Sequence, residues 1–127
     1  MALGSLSGQI GLPYRSAYCA SKHAVTGFFR SLRIEEPEIC VSLGLPDTFT
    51  GSNFRNNSLV KEKNLGDADR RHITVDQVAD ACMEAADRKV EDFYPANKSW
   101  FIMLLYSNAM LFRPSFANKL VRKAAKL

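Results

Sequence analysis

Tyr18 and Lys22 stand four residues apart in the stretch AYCASKHAVTGFF, residues 17–29. On a helix this spacing puts both side chains on one face. An ammonium close to a phenol favours the phenolate form, and a phenol held that way can exchange a proton with an alcohol or carbonyl oxygen. The pair is therefore a candidate for general acid–base chemistry. Spacing alone equally allows a core tyrosine beside a lysine that runs its stem along apolar surface and keeps its amine in water.

Few other residue types offer chemistry. Two histidines, His23 and His72, and three cysteines, Cys19, Cys40 and Cys82, show no metal-ligand spacing, so no metal site is expected. Each cysteine lies in an apolar context, which predicts buried structural thiols in a reducing compartment. His23 reads as a helix-surface residue. Sequons at Asn56 and Asn97 carry little weight by themselves.

The elements that must hold Tyr18 and Lys22 follow from periodicity and breakers. Tyr18, Lys22, Val25, Phe29 and Leu32 recur at helical steps, with Ala24 and Phe28 widening the face, which predicts a helix over about 16–35. Pro37 ends it. A Gly- and Ser-bearing loop, Gly4 to Pro13, precedes it. EICVSLGL, residues 38–45, is apolar on both alternations after its first residue and predicts a strand buried on both faces, as in a parallel sheet. The polar loop from Pro46 to Asn53 leaves its carboxyl end, where ligands bind in open α/β sheets. Residues 55–71 read as a loop or short helix. Thr74 and Gln77 have capping-box spacing, followed by a stripe of Val78, Ala79, Cys82, Met83 and Ala86. DFYPANKSW breaks that helix, with room for a short strand. A further apolar helix is expected from Trp100 to Leu111, then a basic amphipathic helix from Phe116 to Leu127 after Pro114.

At 127 residues the chain is long enough for one domain, and its hydrophobic content of 46% and charged content of 24% are those of a globular protein. The net charge of +4 is unevenly spread: residues 93–127 hold six of the 17 basic residues and none of the 13 acidic ones. Such a segment suits an anionic surface, or it is a solvated cationic tail. No recognised module accompanies it, so nucleic acid is not an expected partner. The apolar run from Trp100 to Phe112 is too short for an ordinary spanning helix. It suits either a packed helix or one lying in a membrane interface. The N-terminal MALGSLSGQIG has neither the basic region nor the long apolar core of a signal peptide.

Ser5 lies thirteen residues before Tyr18, within GSLSGQIGLPYRSAYCASKHAVTGFFRSLRIE. This segment resembles the active-site region of the short-chain dehydrogenase/reductase family, in which a serine, a tyrosine and a lysine four residues later form the catalytic set. Gly8, Pro13, AYCASKHA, Gly27-Phe28 and Leu32-Arg33 extend the match, which is close from Leu3 to Ser52 and loose beyond. The branch it resembles most is the membrane-associated, hydroxysteroid-dehydrogenase-like one.

The resemblance implies an α/β fold, the C-terminal part of a Rossmann-type doubly wound parallel sheet. Residues 1–92 form the catalytic half of that domain and 93–127 an apolar and basic helical extension of it. Tyr18 becomes the acid/base, Lys22 the residue that favours its ionisation and binds the nicotinamide ribose, and Ser5 the holder of the substrate oxygen. Ser7 has the wrong spacing and reads as a loop residue. Pro46, Phe49 and Thr50, with Tyr18 and Lys22, are the implied cofactor-binding residues. NAD or NADP is the implied cofactor, without a preference, and a small lipophilic carbonyl or alcohol the substrate. Homodimer assembly, a cytoplasmic location and contact with the endoplasmic reticulum membrane through the C-terminal segment are also implied.

Two departures stand out. The family pattern places Pro-Gly after the strand and a threonine a few residues on, whereas Asp47 follows Pro46, and Gly51, with Thr50 beside it, occupies the threonine position. The family's N-terminal Gly-rich phosphate-binding turn has no counterpart here, since Gly8 and Gly11 belong to the serine loop. The expectation is a chain without the nucleotide-binding half and inactive on its own. The alternative is a non-catalytic fragment of the family that binds a membrane or a protein.

Overall fold

A computed structural model describes residues 1–51, 73–95 and 97–124. The expected loop at 55–71 lies outside the described residues. The described part is α/β, with a small parallel sheet and four α-helices.

The helix carrying Tyr18 and Lys22, α1, spans Ser16–Glu35. The chain enters it through Tyr14, at a φ of 59°. It leaves before Pro37, with the Glu36 amide donating to the Leu32 carbonyl at 2.9 Å. Tyr18, Lys22, Val25, Phe29 and Leu32 are all half-buried, as their spacing predicts. The most buried residues, Cys19 and Thr26, lie to one side of this stripe. Ala24 and Phe28 lie on the other side and are exposed, so they do not widen the buried face. Consecutive helical residues turn by about 100°, which puts residues 24 and 28 opposite 19 and 26.

The predicted strand at 38–45 narrows to β2, Leu43–Gly44, although burial is continuous from Val41 to Pro46. Cys40 is exposed, contrary to the expectation of a buried thiol, because it lies in the connection before the paired residues. Two strands flank β2, one that the sequence does not announce and one at the start of DFYPANKSW, where it leaves room for a short strand. β1, Ala2–Leu3, pairs with it in parallel on one side. The strand at Asp92–Phe93 does so on the other. Backbone bonds extend the first pairing past both ends, from Ala2 N to Ser42 O at 2.8 Å to Leu6 N to Pro46 O at 2.9 Å. Leu43 and Leu45, fully buried, centre the core with Ala2, Phe29 and Tyr94 against them. A second parallel pair joins β3, Phe49–Thr50, to β4, Ile73–Thr74. In chain order the Asp92–Phe93 strand is β5.

α2, Val75–Asp87, starts with the capping box expected of Thr74 and Gln77, each side chain bonded to the other's backbone amide. Its buried positions are Val78 and Ala85, with Ala81 and Cys82 half-buried, whereas Ala79, Met83 and Ala86 are exposed. Alanines on several faces leave that stripe ambiguous in sequence. α3, Asn97–Phe112, and α4, Pro114–Ala124, follow. Pro114 opens α4, at the helical position where a missing N–H costs nothing. Tyr106 of α3 packs on Leu6 and Ile10 of the serine loop.

A charged clamp fixes α1 to the sheet. Asp92 of β5 accepts from Arg30 at 2.6 and 3.0 Å through one oxygen and from Arg33 at 2.9 Å through the other. Arg33 also donates to the carbonyls of Val41 and Glu91, at 3.1 Å each. The Arg33 and Asp92 side chains are only 18% and 23% exposed. Asp92→Ala strips a half-buried guanidinium of its carboxylate and is expected to lower stability by about 1–3 kcal/mol in urea unfolding. Arg30→Ala, at a side chain 45% exposed, should cost less than about 1 kcal/mol. Equal costs would show that the clamp does not hold the helix.

Candidate active site

The serine loop follows β1 and the Pro46 loop follows β2, so both leave the carboxyl ends of adjacent parallel strands. Ser5 caps a short 3-10 helix, Leu6–Gly8, and its hydroxyl oxygen accepts from the Ser7 amide at 3.2 Å. Accepting that bond leaves the Ser5 hydroxyl proton to donate elsewhere.

The short helix lies directly on α1, and glycine makes this possible. A Cβ on Gly8 would sit 2.6 Å from the Lys22 carbonyl oxygen and 2.6 Å from Thr26 Oγ1. Real contacts of that kind do not occur, so only glycine lets the backbone of the serine loop reach the backbone of α1. Ser5 is thereby held beside the first turns of α1.

The resulting cavity has a volume of about 210 Å³. Ser5, Tyr18 and Lys22 line it together with Pro46 and Phe49. Thr50, the remaining implied cofactor residue, does not. It follows Phe49 on β3, where successive side chains alternate, and it is exposed beside Thr74. Thr48 lines the cavity instead, with its neighbour Asp47. The Asp47 carboxylate accepts from the Thr48 amide at 2.8 Å. Ser7, expected to be a plain loop residue, is buried and also lines the wall, as does Arg15. Arg15 lies three residues before Tyr18, a helical step that could have placed it on the same wall.

The Lys22 ammonium lies 5.9 Å from the centre of the Tyr18 ring, within cation–π range. It is tethered by a hydrogen bond to the Leu3 carbonyl at 3.4 Å, so strand β1 sets its position. The cavity thus joins a phenol, two cationic side chains, one carboxylate and two serine hydroxyls around an aromatic ring. A site of this size, below the roughly 300–1,000 Å³ of a drug-sized pocket, has room for one ring or a small carbonyl-bearing group.

His23 stays on the surface, its Nδ1 2.8 Å from the Cys19 carbonyl oxygen. Cys19 is buried and its sulfur accepts from the Leu12 amide at 3.4 Å. Burial pushes the Cys82 thiol up from its ordinary value. Among the described residues no group of three or more His, Cys, Asp or Glu is placed to hold a metal ion.

No protein-family model and no solved structure matches the chain. Curated proteins do. Dehydrogenase/reductase SDR family member 7C of Rattus norvegicus is 33% identical over 105 residues, covering 75% of this chain. The chain belongs to the short-chain dehydrogenase/reductase family. Member 7C of Xenopus tropicalis is 51% identical over 41 residues, 32% of this chain. Member 7B of Bos taurus is 57% identical over 35 residues, 28% of this chain. The matched stretches span 32%, 13% and 11% of the lengths of these three relatives. The names of these relatives are those of dehydrogenases/reductases. Ser5, Tyr18 and Lys22, the serine, tyrosine and lysine by which it resembles the short-chain dehydrogenases/reductases, stand around one cavity.

Proposed function

We propose that this chain supplies the acid–base part of an NAD(P)-dependent oxidoreductase that interconverts a carbonyl and an alcohol on a small lipophilic substrate. The observation that carries the reading is the convergence of Ser5, Tyr18 and Lys22 on one cavity at the carboxyl ends of parallel strands. Tyr18 gives a proton from its hydroxyl to the substrate oxygen in reduction and takes it back in oxidation. Lys22 presents its ammonium to the Tyr18 ring and to the ribose side of the site. Ser5 donates its hydroxyl proton to the substrate oxygen and orients the carbonyl toward Tyr18.

Pro46, Thr48, Phe49 and Lys22 fit the nicotinamide end of the cofactor: a ring-sized space with an aromatic wall, hydrogen-bonding groups and a cation. When bound, the nicotinamide supplies or accepts the hydride. The Asp47 carboxylate in the same wall works against tight nicotinamide binding. Residues 1–92 serve as the catalytic half of a Rossmann-type domain, and 93–127 as its helical extension. A dimer, and a cytoplasmic location at the endoplasmic reticulum membrane, accompany this reading by resemblance.

The chain by itself is expected to turn over no measurable cofactor, because its sequence offers no Gly-rich turn for the pyrophosphate. Asp47 also favours a second reading, a non-catalytic member that binds a membrane or a protein. The two separate in a chimera that joins the N-terminal part of the rat relative to this chain, assayed with NADH and NADPH against lipophilic ketones. The catalytic reading predicts turnover that Lys22→Met lowers by at least about tenfold, with KM for cofactor rising. A folded chimera without turnover, or with turnover indifferent to Lys22→Met, supports the second reading.

A further inference from the structure

Asp47 is half-buried in the loop wall of the cavity, among Pro46, Thr48 and Phe49. One of its carboxylate oxygens accepts from the Thr48 amide at 2.8 Å, a bond between adjacent residues that holds the side chain against its own loop. A carboxylate can accept about four such bonds, so most of its capacity is left. Among the described residues no lysine, arginine or histidine forms an ion pair with it.

The cations of the cavity come from the helix wall. Arg15 is the N-cap of α1 and Lys22 lies within that helix. Lys22 is tied to the Leu3 carbonyl at 3.4 Å, with its ammonium 5.9 Å from the centre of the Tyr18 ring. Walls of opposite charge sort a ligand by where its own charge lies. A neutral ring placed against Asp47 strips water from the carboxylate and returns nothing, whereas a positive ring is drawn to it. Nicotinamide exists in both forms, of nearly equal size: the oxidised ring is a cation and the reduced ring is neutral. The carboxylate that works against the neutral ring therefore works for the oxidised one. We infer that Asp47 is a specificity-determining residue, which makes the cavity select the oxidised, cationic nicotinamide over the reduced ring. The inference rests on the reading of the cavity as a nicotinamide site.

The test is a nuclear magnetic resonance titration of the purified chain with nicotinamide mononucleotide, once oxidised and once reduced, following the Ser5, Lys22 and Thr48 amides. Ribose and phosphate are common to the two forms, so the ratio of their dissociation constants reports the ring charge. The oxidised form should bind at least about fivefold tighter, the effect of one unit charge at contact distance in water. Asp47→Asn keeps an oxygen that accepts from the Thr48 amide and removes only the charge. It should bring the ratio to about one or below, with circular dichroism unchanged. A merely structural role for Asp47 would instead weaken both forms alike. Equal binding of the two forms, tighter binding of the reduced one, or a ratio that survives Asp47→Asn overturns the inference and leaves the nicotinamide reading standing. If neither form shifts these amides, both fail.

Discussion

Tyr18→Phe is expected to lower carbonyl turnover in the chimera by about 10²–10⁴-fold, the usual contribution of a positioned proton donor. The substitution removes one hydroxyl and leaves the ring that faces the Lys22 ammonium at 5.9 Å. Helix α1 is held by contacts that this hydroxyl does not supply: the Arg30–Asp92 and Arg33–Asp92 bridges and the packing of Cys19 and Thr26. The loss should therefore appear in kcat, with the cofactor KM changed by no more than a few-fold and thermal stability nearly constant. Lys22→Met should differ in kind, raising the cofactor KM as well. A fall of less than tenfold in kcat for Tyr18→Phe would remove Tyr18 from the proton-transfer role.

Gly8→Ala should have the largest effect on the architecture of the site. Its Cβ meets a backbone carbonyl and a hydroxyl at 2.6 Å each, and the Lys22 carbonyl belongs to a helix that cannot locally give way. The serine loop must then lift from α1, at a cost of about 2–3 kcal/mol in urea unfolding, typical of overpacking. Lifting also moves Ser5 away from Tyr18, so turnover should fall beyond what lost folded population explains. Gly27 is the natural control, since a Cβ there meets nothing within 4 Å. Gly27→Ala, inside the same helix, should be neutral or stabilise by about 0.5–1 kcal/mol. If Gly8→Ala proves as harmless as Gly27→Ala, the close approach is not what positions the serine.

The parts of this fold that could be read in advance are those with a local physical signal. α1 combines a clear helical period with a proline stop, and α2 begins at a capping box that the structure reproduces bond for bond. β1 has two residues, too few for any alternation, and it exists only because β2 offers a partner. That pairing is a long-range event with no trace in MAL. The clamp of Arg30 and Arg33 on Asp92 is likewise long-range, spanning 62 and 59 residues of sequence. At the cavity, helical spacing brings Tyr18 and Lys22 to one wall, while the role of Ser5 rested on family likeness. Thr48 rather than Thr50 reaches the cavity because the chain enters a strand there, and the phase of its alternation is set by pairing with β4.

The most direct measurement of the central claim is a nuclear magnetic resonance titration of the chain with reduced nicotinamide mononucleotide, which needs no pyrophosphate turn. The account predicts shifts that cluster at Ser5, Tyr18, Lys22 and residues 46–49, and that vanish in Lys22→Met. Shifts centred on another surface, or none at millimolar ligand, would contradict it.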